Sequence, residues 1–161
     1  MLRPVERQSR TRQGAIVTTG HQLVHESSGL PVTPSAPELR RAGIVLVHPR
    51  PRDPRDADMS QSFRDALAAA AFSPGSRVQV LPDPSEPHDP EAVGIWSGDA
   101  SLRLGWVPNV PAADLSRRLR AGEVRIGVAL NEGCALDGTR LGIEVLIAPP
   151  EVVARLGAAL L

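Results

Sequence analysis

RVQVLPDPSEPHDPEAVGIW, residues 77 to 96, is the stretch on which the fold turns. Val78 and Val80 alternate with polar neighbours, the period of a half-buried strand, and AVGIW (92–96) is a short apolar run suited to a second one. Between them stand Pro82, Pro84, Pro87 and Pro90, interleaved with Asp83, Glu86, Asp89 and Glu91. A helix does not survive that density of proline, so the two strands are joined by an extended, acidic arch. Such an arch either turns the chain, with Asp89 before Pro90 as an ordinary turn residue, or holds His88 and Asp89 at the mouth of a pocket.

Outward from the arch the chain alternates short apolar runs with turn residues. AGIVLVH (42–48) reads as a buried strand that runs into the loop PRPRDPRD. LRLGWV (102–107), VRIGVAL (124–130) and LGIEVLI (141–147) follow as further strands. Ser60 is placed to cap SQSFRDALAAAAF, where Phe63, Leu67 and Ala71 share a helical face, and Pro74 and Gly75 end it. PAADLSRRLRAG offers Ala112, Leu115 and Leu119 as a buried stripe, and PPEVVARLGAAL offers Val152, Val153 and Leu156. With no βαβ rhythm, these elements predict a mainly β protein with two or three helices, a small OB-like, partly open β-barrel. Residues 1–40, Arg-rich and then Pro/Ser-rich, are expected as a flexible tail in which only AIVTTGHQLV has strand character. Residues 41–148 form the barrel, and 149–161 a C-terminal helix packed on it.

The 161 residues carry no formal net charge, yet the balance is uneven: residues 1–56 hold nine Arg against five acids, and residues 57–161 nine Arg against thirteen. A non-specific duplex binder needs a broad basic surface, so nucleic acid would have to bind at a local site. All 18 basic residues are arginine, which fits a GC-rich bacterial genome. Without lysine there is no P-loop, and His21, His25, His48 and His88 form no HExxH. Lone Cys134 excludes an internal disulfide and argues against zinc. No catalyst, cofactor or metal is expected. No run approaches the ~20 apolar residues of a membrane span, and the N-terminus lacks a signal core, so a cytoplasmic protein is expected. Aromatic residues make up only 2% of the chain, which makes Trp96 and Trp106 worth locating.

Taken together, V-L-P-x-P-x-x-P-H-D-P-x-A-V-x-I (80–95), L-G-W-V-P (104–108) and A-x-x-L-x-x-x-L-x-x-G (112–122) resemble the HIRAN domain over roughly residues 75–147. The resemblance implies an OB-like barrel that binds single-stranded DNA, with free 3′ ends as target, in repair or replication restart. It places the family's Tyr-Asp pair on His88 and Asp89, its ring-bearing position on Trp106 and the basic neighbour on Asn109. In that reading Asp89 accepts a hydrogen bond from a terminal hydroxyl and Trp106 stacks on a base. The chain departs from the family where Val45, Leu46 and Val47 replace an Arg-Tyr-Tyr run, leaving His48 as the nearest substitute, and where Glu86 and Asn109 replace Asn and Lys. Arg103 and Arg125 are candidate phosphate contacts on the barrel face. A period-two count sets Leu102, Leu104 and Trp106 on one face and Arg103 on the other, which makes Trp106 equally readable as core. The competing reading is a protein-interaction or scaffold module that has lost DNA-end binding and serves a helicase or nuclease partner. A metal-dependent nuclease on the acidic arch is the least favoured.

Overall fold

The computed structural model describes residues 1–11, 13–70, 73–83 and 89–160. Among these residues eight antiparallel strands form one curled sheet: β1 (Leu2–Arg10), β2 (Ile16–His25), β3 (Val45–Val47), β4 (Arg77–Pro82), β5 (Val93–Trp96), β6 (Arg103–Trp106), β7 (Ile126–Ala135) and β8 (Arg140–Ala148). The helices are α1 (Pro37–Arg41), α2 (Ala57–Ala69), α3 (Asn109–Arg120) and α4 (Pro150–Leu160). The mainly β, OB-like open barrel expected from the sequence is the fold observed.

Strand β7 is long enough to serve three partners. Its first half pairs with β4 through Gly127 and Val128, its second half pairs with β2, and β8 lies along its other edge. From β4 the sheet continues through β5 to β6, and from β8 it continues to β3. The chain leaving β3 then returns to the far edge, where the Arg50 and Trp106 backbones exchange hydrogen bonds of 3.0 and 2.9 Å. That bridge partly closes the barrel. Gly105 permits it: its φ of +130° is open to glycine, and a Cβ there would lie 2.9 Å from Pro49 and 2.8 Å from Phe63.

Two cores result, one on each face of the sheet. Inside the barrel, Val78, Val80, Val93, Ile95, Leu104, Val145 and Ile147 pack with Leu67 of α2 and Ala112 and Leu115 of α3. On the outer face, Leu23, Leu130 and Leu146 pack with Leu39 of α1 and with Val152, Val153 and Leu156 of α4. The apolar stripes expected of the last two helices are therefore the buried ones.

The structure corrects two expectations. Residues 1–40 are not a tail: β1 and β2 form a nine-pair hairpin that joins β7, and α1 follows it with Leu39 buried. Composition misleads here because β2 finds its partner more than 100 residues along the chain, and non-local pairing overrides local polarity. Helix α2 also begins earlier than Ser60. Asp56 is its N-cap, accepting from Asp58 and Met59 amides at 2.9 and 3.0 Å, while Ser60 lies inside the helix and donates to the Pro54 carbonyl. At the other end Arg140 of β8 donates to the Leu67 and Ala70 carbonyls, each at 2.7 Å, satisfying groups that a helix C-terminus leaves open.

Candidate functional site

A register shift builds the site. Between β5 and β6 the pairs run Gly94 to Trp106, Ile95 to Gly105, then Trp96 to Arg103, so Leu104 is an extra residue. Alternation alone would send Arg103 and Trp106 to opposite faces; the bulge brings them to the same one. There the Arg103 guanidinium lies over both indoles, 4.6 Å from each ring centroid. Glycine at 94 leaves room for this packing, since a Cβ there would lie 2.8 Å from Trp96 Nε1.

Beneath them sits Asp83, only 4% exposed. Its Oδ2 accepts from Trp106 Nε1 at 3.2 Å and lies 3.2 Å from an Arg103 nitrogen. A buried carboxylate needs such donors to satisfy its oxygens, and in return it fixes the indole and the guanidinium. Trp106 is half-buried and edges a concavity of about 150 Å³ lined by Arg50, Pro51, Arg52, Pro54 and Pro108. That is smaller than the ~300–1,000 Å³ of a small-molecule pocket. It suits a station on an open path. A larger cavity of about 370 Å³ lies elsewhere, between Leu2, Ile44 and Leu156, and no tryptophan or phenylalanine lines it.

The near end of the arch is tied down from two sides. Arg52 donates to Asp89 Oδ2 at 3.1 Å, and Arg120 at the end of α3 donates to the Pro90 carbonyl. Asp89 Oδ1 accepts from the Glu91 amide at 3.0 Å, so the turn role and the ion-pair role hold together. Asp89 thus faces the loop that bears Arg52, and Asp83, not Asp89, is the acid bonded to Trp106.

His48 points away from the concavity. Its Nδ1 lies 3.2 Å from the Ile143 carbonyl and its Nε2 lies 3.2 Å from Glu144 Oε2. Both neighbours are acceptors, so imidazolium satisfies the geometry best. The hydrogen bond to Glu144 raises the His48 pKa above its ordinary value, against partial burial. Burial pushes Glu144 the other way, but His48, Asn131 and the charge of Arg7 outweigh it and hold its carboxyl below the usual range.

Of the residues singled out from sequence, Asp89, Trp106 and Arg103 gather around the Arg50–Arg52 loop and Asp83, and His48 stands beside it on Glu144. Asn109 begins α3, and nothing is described of its side chain. His88 lies outside the described residues. Arg125 is drawn to Glu123 at 2.6 Å. Sequence reading passed over Arg50 and Arg52, and weighed Asp83 only as one acid of the arch. A signal for the first two was present, because PRPRDPRD spaces its arginines with prolines that hold them apart and extended.

No family model and no curated protein matches the chain. Two solved structures resemble it in fold. One is a structural-genomics protein from Lactobacillus plantarum, 14% identical with a TM-score of 0.44, the match covering 63% of this chain and 89% of that one. The other is the HIRAN domain of human HLTF, also 14% identical with a TM-score of 0.44, covering 73% of this chain and 86% of that one. The second bears the family name that the motifs resemble. Likeness at this level concerns fold alone, so function is argued from the side chains.

Proposed function

We propose that this chain is a nucleic-acid-binding module that takes single-stranded DNA at the Arg50–Arg52–Trp106 concavity, without chemistry of its own. The observation that carries the reading is the pairing of two guanidiniums with an indole that Asp83 and Arg103 hold in place. Arginine is the side chain best matched to phosphate, and a pre-positioned ring stacks on a base for about 1–3 kcal/mol with little regard for sequence. The motif resemblance supports the same ligand and adds a finer proposal: a free 3′ end, with Asp89 accepting the terminal hydroxyl beside Arg52. Repair or replication restart, in a bacterial cytoplasm, is the setting this reading implies.

The competing reading, a scaffold for a helicase or nuclease, draws on β1, an open edge strand of nine residues. Pro4 and the charges of Arg3, Glu6, Arg7 and Arg10 blunt it as a pairing edge, which favours the nucleic-acid reading. The deciding experiment titrates fluorescent oligonucleotides with free or phosphorylated 3′ ends against wild type, Arg50→Ala and Trp106→Ala. Stacking on Trp106 should quench intrinsic fluorescence, and each variant should bind about tenfold or more weakly. A 3′ phosphate should weaken wild-type binding if the end is read. Wild type and both variants binding alike would sink the concavity as the site.

A further inference from the structure

A polar row crosses the sheet beside the concavity. Arg7 of β1 pairs in register with Gly20 of β2, Gly20 with Asn131 of β7, and Asn131 with Glu144 of β8. One residue past the Val47 to Val145 pair, His48 meets Glu144. Directly paired residues of antiparallel strands project to one face, so the first four positions line up across four strands and His48, just past the end of β3, extends the row. Gly20 keeps the row low. A Cβ there would lie 2.6 Å from the Leu130 carbonyl oxygen and 2.9 Å from Asn131 Cβ. Asn131, 6% exposed, ties the middle by donating to the His21 carbonyl at 2.9 Å and to Glu144 Oε1 at 3.0 Å.

The charges of this row do not cancel. Glu144, its one acid, is paired with His48, whose side chain is 63% exposed, and also feels the charge of Arg7. Arg7 at one end and Arg50 beyond the other are exposed, and neither makes an ion pair among the described residues. Four strand spacings from Arg7 to His48 span about 19 Å. Net positive charge at both ends of that row, Arg50 at the concavity and Arg7 on the hairpin, with the polar Asn131 and the His48–Glu144 pair between them, fits a polyanion laid across strands.

We propose that the row carries the sugar-phosphate backbone of a single strand away from the concavity, with Arg50, His48 and Arg7 as successive phosphate stations. The proposal rests on single-strand binding at the concavity and extends it to the N-terminal hairpin. Arg7 and Arg50 contact phosphate. His48, with both ring nitrogens engaged, contributes charge alone. Glu144 faces it from β8 and Arg50 from its own loop, while Arg7 of β1 acts on Glu144, which makes the second station dependent on pH.

The test compares a trinucleotide, which reaches only the concavity, with a dodecanucleotide. Arg7→Gln should weaken the dodecamer about fivefold at 0.1 M salt and reduce the slope of log K against log salt by about 0.7, the release of one counterion. Arg7→Lys should restore both, and the trinucleotide should be indifferent to either change. Wild-type dodecamer affinity should fall as pH rises and His48 loses its proton, and His48→Gln should flatten that profile. Unchanged dodecamer affinity and slope in Arg7→Gln would overturn the track while trinucleotide quenching of Trp106 kept the concavity. Wild type that bound neither oligonucleotide would remove both.

Discussion

Asp83 receives Trp106 Nε1 and lies in ion-pair range of Arg103 on the same oxygen while it is 4% exposed. Removing it takes the carboxylate from the Trp106 N–H and from the Arg103 guanidinium, which keeps only the two indoles and solvent. Breaking a fully buried pair costs about 3–5 kcal/mol; Arg103 still reaches solvent, so about 2–3 kcal/mol is expected of Asp83→Ala by urea denaturation. Trp106 emission should also shift as the ring loosens. Asp89→Ala, at the more exposed pair with Arg52, should cost about 1 kcal/mol or less and act instead on oligonucleotide binding. Equal costs for the two variants would mean that Asp83 is not the anchor. No local pattern separates these acids in the sequence, because both stand before a proline in one arch. Only the fold buries the first and leaves the second at the rim.

At the scale of elements, the β1–β2 hairpin belongs to the structure it was expected merely to trail from. Leu23, 2% exposed, packs with Leu130 and Leu146 beneath α1 and α4. Leu23→Ala should therefore destabilise the whole protein by about 2–4 kcal/mol, read as a shift in the denaturation midpoint without change of slope. A residue in a tail would cost nothing, so a neutral result would detach the hairpin from the domain. Strands 77–82 and 92–96 were legible because their apolar residues follow the strand period or form a bounded run. Helices α2, α3 and α4 were legible from the helical spacing of their apolar residues, whereas the short α1 in the Pro/Ser-rich stretch was not. The hairpin was not, because its stability comes from β7.

For the molecule as a whole, His48 and Glu144 join β8 to the loop that closes the barrel, and Asn131 extends the network to the hairpin. Because His48 is raised from 6.5, the stability it lends is complete below that value and lost as pH climbs through the raised one. Because Glu144 is lowered from 4.5, its contribution is complete above that value and lost as pH falls through the lowered one. The stability advantage of wild type over His48→Gln should thus be greatest between pH 4.5 and 6.5 and shrink on either side. Chemical denaturation across pH checks this, and a constant difference at all pH values would contradict the pair.

From residue 42 onward, the order of strands and helices and the barrel class were determined by the sequence itself. These depend on periodicity, proline placement and turn residues, which act over a few neighbours. Tertiary structure alone decided that the first forty residues are part of the sheet, that a bulge sets Arg103 on Trp106, and that Arg50 and Arg52 reach the ring. Each of those needs a partner far along the chain, and sheet register, a non-local property, selects it.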